Sequence, residues 1–383
     1  MSTTPTRARW SVAAVFCTNG ALFGSWAPNV PLIRDKLHLT DSELSLALLA
    51  LAGGAVVAMP IAGYLISRFG SAGPTRYSIL GMVLALPLLS LAPSLAMLCL
   101  CAFLFGFSNG VNDVAMNTHA VEVERQYARP IMSGLHGTWS IGGFLASSLA
   151  GLLLNYMGTT THFLIVTAFF LVVAGYAVTG LLPGEADKGE AGSHFALPDR
   201  SVLVIGILTL FGFMLEGAML DWNAIFMRTT FNSDATMTAA GYAAFAGGMA
   251  IGRFSGDFIR LRQSAVHIVR FGAIMAAIGI LIATYVGQIH IAILAFGLTG
   301  LGVSNLVPLF FTAAGRANVA SSGKGVAAAA TCGYCGFLAG PPIIGYLSTH
   351  TGLGVAFVLL AVAQVAIAIF AMAVRPADQL PGQ

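Results

Sequence analysis

The sequence predicts an all-α membrane protein, with twelve transmembrane helices arranged as two pseudo-symmetric bundles of six. Three observations predict this fold class: the composition, the succession of apolar segments and an internal repeat. Hydrophobic residues make up 57% of the 383 positions and charged residues only 9%, whereas a typical soluble domain has about 25% charged residues. Helices that face lipid are apolar on every side, and a chain built from them has this composition.

Twelve apolar segments are long enough to cross a membrane, which takes about 20 mostly apolar residues in a helix. The expected spans are 10–32, 43–66, 76–94, 97–121, 131–155, 161–182, 201–226, 238–259, 266–286, 289–314, 324–347 and 353–374. The longest polar break, PGEADKGEAGSHFALPDR, has several charges and two prolines, which is typical of a linker. We therefore expect a first six-helix bundle at 1–182, a cytoplasmic linker at 183–200 and a second bundle at 201–383.

The positive charges predict how the chain is oriented in the membrane. If the N-terminus lies inside and the spans alternate, fifteen Lys and Arg residues fall in inner segments and three, Arg34, Lys36 and Arg228, in outer segments. Cytoplasmic loops carry an excess of Lys and Arg. We therefore expect a multi-pass protein of a bacterial inner membrane, with both termini in the cytoplasm. The first apolar segment is too long for a cleavable signal peptide, and no small-residue cleavage site follows it.

An internal repeat relates the two halves of the chain. The sequence AGG occurs at 52–54 and at 246–248, an offset of 194 residues, and GFLA occurs at 143–146 and at 336–339, an offset of 193. Trp26 similarly pairs with Trp222. These matches keep their order along the chain, which favours a duplication of six helices. Parallel repeats of this kind place a binding site between the two halves, near the middle of the membrane.

The loop after the second span reads GYLISRFG. It is similar to the G-x-x-x-D-R-x-G motif of the major facilitator superfamily, with Ser67 in place of the usual acid, and the chain resembles that superfamily over essentially its whole length. The resemblance implies that charges in this loop, and in its second-half counterpart GRFSGDFIRLR, hold one state closed on the cytoplasmic side. Anchoring by positive charge alone explains Arg260 and Arg262 about as well. The candidate gate residues are Arg68, Asp257 and Arg260.

Two further stretches, NDVAMNTHAVEVE and RPIMSGLHGTWSIGG, resemble the YbjJ-type proteins, which stand near the fucose permeases within that superfamily. The superfamily resemblance implies a monomer that moves a small solute by alternating access, often with protons. The branch resemblance implies a sugar-like or other small polar solute. Because substrates diverge within one fold, the solute has to be argued from the site itself.

Asp113, in the fourth span, is the leading functional candidate. By helical spacing it shares a face with Asn109, Asn112, Met116 and Asn117. A carboxylate that faces lipid at the bilayer centre costs about 2.5–3.5 kcal/mol on insertion scales, so this face is expected to line the bundle interior or a water-filled cavity. Asp113 is interpreted as a proton carrier; the alternative is a structural acid paired with a neighbouring helix. Each asparagine is equally compatible with an interhelical hydrogen bond.

Other polar residues within the spans complete the candidate site. Glu216, near the middle of the seventh span, is the second candidate for proton coupling. Trp26 is compatible with stacking on a sugar ring or with an aromatic anchor at the membrane surface. His136 is compatible with a proton relay to Asp113 or with a helix-contact histidine. The candidate solute-binding residues are Asn19, Trp26, Asn29, Asn109, Asn112, Asn117, His136, Trp139, Asn305 and Tyr334.

The sequence gives no indication of an enzyme. It contains no nucleophile–base pair, metal-ligand cluster or phosphate-binding loop, so we expect no metal, no cofactor, no nucleic acid and no use of ATP. The expected function is a secondary active transporter that moves a small polar solute by proton-coupled symport, with the solute, protons and the lipid bilayer as its partners. The alternatives are efflux of an amphipathic compound and a non-transporting membrane sensor with the same fold.

Overall fold

The computed structural model describes residues 4–127, 131–183, 202–317 and 322–378, without the side chains of residues 257 and 322–324. This part of the chain contains thirteen α-helices, two 3-10 segments and no strand. The helices are α1 (Pro5–Lys36), α2 (Asp41–Phe69), α3 (Ala72–Leu91), α4 (Leu95–Tyr127), α5 (Met132–Leu153), α6 (Thr159–Ala177), α7 (Leu203–Phe231), α8 (Ala235–Arg260), α9 (Ala265–Tyr285), α10 (Ile289–Val303), α11 (Leu306–Ala317), α12 (Ser322–Thr351) and α13 (Leu353–Ile369). The 3-10 segments are Val178–Gly180 and Phe370–Asp378. The predicted linker lies outside the described residues from residue 184 onward.

The predicted all-α fold with twelve spans is confirmed, and one span differs from its prediction in detail. The tenth span was expected as a single helix over 289–314, but the structure divides it into α10 and α11. Pro308 has no N–H to donate to the carbonyl of Ser304, four residues earlier, which interrupts the helical hydrogen bonds there. The Asn305 side chain, at the break, donates to the Gly252 carbonyl of α8 at 2.9 Å.

Nine helical segments of the described chain are long and apolar enough to cross a membrane by length and composition alone. The long helices outside this set are α1, α5 and α8. Helix α5 packs along both α1 and α8, so much of its surface meets protein instead of lipid. A helix in that position tolerates polar and small residues that a lipid-facing helix does not.

Glycine contacts hold each half together in the same way. In the first half, α2 and α4 touch where Gly54 faces the Phe103 carbonyl and Gly106 faces the Leu51 carbonyl. In the second half, α8 and α10 touch where Gly248 faces the Gly297 carbonyl and Gly300 faces the Phe245 carbonyl. Each of these four first-half positions is related to its second-half counterpart by the offset of 194 residues seen in the sequence (54 to 248, 103 to 297, 106 to 300, 51 to 245). The repeat is therefore present in the packing of the helix backbones as well as in the sequence.

The two halves, α1–α6 and α7–α13, are joined by polar contacts at one face of the membrane. We call the face at which α1 begins the inner face, following the predicted orientation, and the opposite face the outer face. At the outer face, Arg228 of α7 forms an ion pair with Asp35 of α1 at 2.8 Å. The Ser348 hydroxyl of α12 donates to Asp41 of α2. The side chain of Asn155, just after α5, donates to Thr236 of α8 at 2.7 Å.

Toward the inner face the halves separate along α4 and α11. Helix α4 packs on α1, α2 and α3, and α11 packs on α7, α9 and α12, without extensive contact between α4 and α11. Both helices end at the inner face. The described halves are therefore joined by polar contacts at the outer face and make no extensive contact through α4 and α11 at the inner one.

The glycine packing predicts opposite effects for two neighbouring substitutions. In Gly54→Ala the new methyl group meets the Phe103 carbonyl, whereas at Gly53 nothing lies within 4 Å of an added Cβ. We expect Gly54→Ala to lower the free energy of unfolding by about 1–3 kcal/mol, as overpacking does. Gly53→Ala should leave it unchanged or raise it, since Ala favours helix over Gly. Thermal denaturation in one detergent compares the two variants, and equal losses would contradict this packing.

Candidate functional site

Asp113 of α4 and Tyr334 of α12 connect the two halves near the middle of the membrane. Asp113 lies about 21 Å from the inner end of α4, and Tyr334 about 18 Å from the inner end of α12, at 1.5 Å per residue. The Tyr334 hydroxyl donates a hydrogen bond to Asp113 Oδ2. One turn further along α4, Asn117 Nδ2 donates to Asp113 Oδ1 at 3.2 Å. The carboxyl group is thus held by one neighbour from each half.

The Asp113 carboxyl group has hydrogen-bond donors around it and no cation. Within the described residues, no Lys, Arg or His side chain lies within ion-pair distance of Asp113. A buried carboxylate without a cation has to be stabilised by hydrogen bonds, by water or by binding a proton. This environment is chemically suited to a group that exchanges a proton.

An aromatic cluster of the second half surrounds Tyr334. The Phe213 ring lies 5.6 Å from the Tyr334 ring, 4.8 Å from the Phe337 ring and 6.1 Å from the Phe311 ring, measured between centroids. These contacts fix the tyrosine ring, so its hydroxyl points at Asp113 from a rigid support. The cluster also places a flat apolar surface beside the carboxyl group.

Arg253 and Glu216 form a charged pair within the second half, on the side of that half that meets the first. Arg253 Nη2 of α8 lies 3.8 Å from Glu216 Oε2 of α7, and the two side chains are 10% and 16% exposed. Arg253 also reaches across to α5 of the first half. Its Nη1 donates to Ser140 Oγ at 2.7 Å and to the His136 carbonyl at 3.4 Å. Its Nε has no hydrogen-bond partner among the described residues. A buried donor left unpaired costs about 1–3 kcal/mol.

Trp139 of α5 links this charged pair to the polar residues of the first half. The guanidinium carbon of Arg253 lies 5.5 Å from the centroid of the Trp139 ring, a cation–π contact. The indole N–H of Trp139 donates to Asn19 Oδ1 of α1 at 2.8 Å. Asn19 Nδ2 in turn lies 3.0 Å from Asn109 Oδ1 and 3.0 Å from Asn112 Oδ1 of α4. Contacts thus run from Arg253 to the turn of α4 that precedes Asp113.

The polar residues predicted to share one face of α4 contact two different neighbours, α3 of the first half and α12 of the second. Asn112 is fully buried in the first half, where its Nδ2 donates to Ser78 Oγ of α3 at 3.1 Å. Asp113, the next residue, contacts the second half. Consecutive residues are about 100° apart around a helix, so a face that spans five such positions meets different partners at its two edges. Asn112 and Asn19 thus form interhelical hydrogen bonds, the alternative that the sequence left open.

Four other candidates lie away from Asp113. Trp26 and Asn29 are buried in α1 toward the outer face. Asn29 Nδ2 donates to the Ser25 carbonyl at 2.8 Å and lies 3.1 Å from His162 Nδ1. Asn305 binds the backbone of α8 within the second half. The ring of His136 packs edge-on against Phe16, with 5.3 Å between ring centroids.

The predicted gate residues have separate partners in the described chain. Arg68 Nη1 donates to the Tyr64 hydroxyl of its own helix at 2.9 Å. Arg260 forms an ion pair with Asp378 at 2.7 Å, which fastens the final 3-10 segment to the end of α8. The side chain of Asp257 lies outside the described residues.

Arg253 is the site residue that the sequence reading assigned to a cytoplasmic loop. The predicted eighth span, 238–259, already contains this residue. In the structure α8 continues to Arg260, so Arg253 lies about 10 Å inside the helix end at 1.5 Å per residue. The repeat offers a signal that could have found it. With the offset of 194, the first-half loop arginine, Arg68, corresponds to Arg262, and Arg253 corresponds to Met59 within the second span.

The sequence profile of the Major Facilitator Superfamily matches residues 12–334 of this chain. The chain belongs to this superfamily. It is therefore a multi-pass membrane transporter. The contacts described above lie at the centre of a major facilitator fold.

Relatives from bacteria share most of the chain. An uncharacterised transporter of this superfamily from Yersinia pestis is 35% identical over 365 residues, covering 95% of each chain. The membrane protein MosC of Rhizobium meliloti is 32% identical and covers 91% of this chain and 86% of its own.

Solved structures share the fold at low sequence identity. A mutant of the nucleoside transporter NupG superposes with a TM-score of 0.75 at 13% identity, over 96% of this chain and 99% of its own. A bacterial homologue of the human lysosomal transporter Spinster, in an inward-facing and occupied conformation, superposes with a TM-score of 0.75 at 14% identity, over 98% of both chains.

Asn109 and Asn112 of α4 are predicted to differ in their roles. Asn112→Leu removes the hydrogen bonds to Asn19 and Ser78 in a fully buried place. We expect the free energy of unfolding to fall by about 1–2 kcal/mol, near the upper limit for interhelical hydrogen bonds in membranes. Asn109→Leu, at a half-buried position, should cost less. Denaturation in detergent compares the variants, and an equal or larger loss for Asn109→Leu would contradict the assignment.

Proposed function

We propose that the protein is a proton-coupled symporter of a small polar solute, with Asp113 as the proton carrier. The solute binds between the bundles 1–182 and 201–383, and the chain lies in the bacterial inner membrane with both termini in the cytoplasm. The observation that carries the proposal is the hydrogen bond from Tyr334 to Asp113, which joins the two halves through a carboxyl group without a cation.

The physical argument concerns the charge of Asp113 during the movement of the halves. When both faces are closed, water is excluded and an unpaired carboxylate becomes expensive. A proton on Asp113 removes that cost, so the closed intermediate forms readily only when the group is neutral. Opening to water at either face then permits the proton to leave. Glu216 is the second candidate proton group, although its neighbour Arg253 stabilises its charge.

Groups around Asp113 suit a solute with several hydroxyl groups. Asn109, Asn117 and Trp139 are half-buried, and amide groups both donate and accept hydrogen bonds. The aromatic cluster around Tyr334 offers an apolar surface for the face of a ring. The resemblance of the 112–124 stretch to YbjJ-type proteins near the fucose permeases supports a sugar-like or similarly polar solute.

The outer-face contacts support an inward-facing state. The pair of Arg228 and Asp35 and the bond from Ser348 to Asp41 close the side that we assign to the periplasm. In this state a bound solute and proton leave toward the cytoplasm. For the outward-facing state these contacts have to break, and each is a polar contact that water can replace at the surface.

Efflux of an amphipathic compound is the second candidate function. The observation that favours it is the cluster of Phe213, Phe311 and Phe337 beside Asp113, which would hold an apolar part of a solute. Direction distinguishes the candidates, since symport takes solute and protons the same way and efflux exchanges them.

Asp113→Asn tests the proposal in proteoliposomes that carry an imposed proton gradient. Asn keeps an acceptor for Tyr334 and cannot bind a proton at this position. Across a panel of sugars and small polar metabolites, we expect gradient-driven uptake to fall at least about tenfold, or about 1.4 kcal/mol in activation free energy. Solute exchange without a gradient should persist, because it needs no net proton movement.

Asp234→Asn is the matched control, because Asp234 is an exposed cap of α8 that accepts from Met237 N at 2.8 Å. Gradient-driven uptake by Asp113→Asn at the level of this control would exclude Asp113 as the proton carrier. Solute movement against the direction of proton flow in the wild type would favour efflux.

A further inference from the structure

We propose that the transported solute carries a carboxylate group, which binds the edge of the Arg253 guanidinium formed by Nε and Nη2. This inference rests on the proposed function, because it names the class of solute that occupies the site between the halves. It adds a charged contact to the polar contacts already described.

The hydrogen bonds of Arg253 leave this one edge without a hydrogen-bond partner. Nη1 is engaged by Ser140 Oγ at 2.7 Å and by the His136 carbonyl at 3.4 Å. Nε has no partner among the described residues. Nη2 has Glu216 Oε2 at 3.8 Å, beyond hydrogen-bond distance. The donors on Nε and Nη2 point the same way, and together they match the two oxygens of one carboxylate.

The surroundings of Arg253 fix the guanidinium in place for such a ligand. The side chain is 10% exposed, and Trp139 lies under its plane, with 5.5 Å from the guanidinium carbon to the ring centroid. Ser140 holds the opposite edge. A planar donor pair that is already oriented loses little entropy when it binds a planar anion.

The charge of the site favours a solute with a single negative charge. Arg253 is the one cation placed among the buried contacts of this site in the described chain, and Glu216 already lies beside it. A carboxylate can outcompete Glu216 because it can reach both donors at hydrogen-bond distance. A dianion would bring a second charge for which the described site has no cation.

Arg253 is placed so that one small solute can touch both halves. It extends from α8 of the second half to α5 of the first, and its contact with Trp139 leads through Asn19 to Asn109. Asn109 lies one helical turn from Asp113 on α4. A carboxylate on Arg253 therefore directs the hydroxylated remainder of a solute toward the α4 residues assigned to polar contacts.

The test is binding of matched acids and neutral analogues to the full-length protein in lipid nanodiscs, measured by calorimetry. Suitable pairs are gluconate with glucitol, galacturonate with galactose, and lactate with propane-1,2-diol. We expect at least one acid to bind about tenfold or more tightly than its neutral partner. Arg253→Lys keeps the charge and removes the paired edge, so it should abolish this preference while binding of the neutral analogue stays the same.

Arg262→Lys is the control, because Arg262 is exposed beyond the end of α8 and stacks on Phe258; it should keep the full preference. Glu216→Gln serves as a second variant if Arg253→Lys does not fold. It removes the competing carboxylate, so it should tighten binding of the acid and leave the neutral analogue unaffected. Equal binding of acid and neutral analogue by the wild type, or equal losses for both in Arg253→Lys, would overturn the inference.

The two proposals fail in different ways. Binding of an acid that depends on Arg253, without proton-driven uptake of that acid, would retain the carboxylate site and reject symport. Proton-driven uptake of a neutral solute that Arg253→Lys leaves intact would retain symport and reject the carboxylate site.

Discussion

The constraint on which the structure depends is that a bilayer offers no water to polar groups, so each of them has to find a partner inside the protein. Among the charged side chains that the described chain places within the spans are Asp113, Glu216 and Arg253, and the first and last of these contact the opposite half directly. These charged side chains, whose burial away from water is most unfavourable, are thus concentrated where the halves meet. That is also the surface that water reaches when one face opens.

Contacts within the halves differ in kind from contacts between them. Within each half, helices meet backbone to backbone at repeated glycines, such as Gly54 against the Phe103 carbonyl and Gly248 against the Gly297 carbonyl. Such contacts leave no room for rearrangement. Between the halves, many contacts are side-chain hydrogen bonds and ion pairs, as at Arg228 and Asp35. These can be exchanged for water at modest cost. The fold therefore combines two rigid units with an interface that can open at either face.

The sequence predicted the number of spans and the position of Asp113 at an interior surface, because both follow from the cost of placing polarity in lipid. It also predicted the repeat, through matched stretches such as AGG and GFLA. It did not predict the partners. Asn112 and Asp113 are adjacent and were expected on one face, yet they contact different halves, since helical spacing gives a direction and not the identity of the neighbour. Arg253 was counted as a loop charge although the predicted eighth span, 238–259, contains it, because it was grouped with the arginines that follow it in GRFSGDFIRLR. Through the repeat, the loop residue Arg68 corresponds to Arg262, whereas Arg253 corresponds to Met59 inside the second span. That comparison would have placed Arg253 inside the membrane.

The central claim is that the closed intermediate forms readily only when Asp113 is neutral. Spin labels at Val121 and Thr312 report the inner ends of α4 and α11, and labels at His38 and Thr351 report the outer ends of the two halves; all four positions are exposed. Distances between each pair, measured by double electron–electron resonance in acidic and alkaline buffer, test the claim directly. In the wild type we expect acidic buffer to shorten the distance of the inner pair, because neutral Asp113 permits the closed intermediate, while the outer pair stays short. Both distances should be independent of pH in Asp113→Asn. Distances that still change with pH in Asp113→Asn, or distances that do not change with pH in the wild type, would contradict the account.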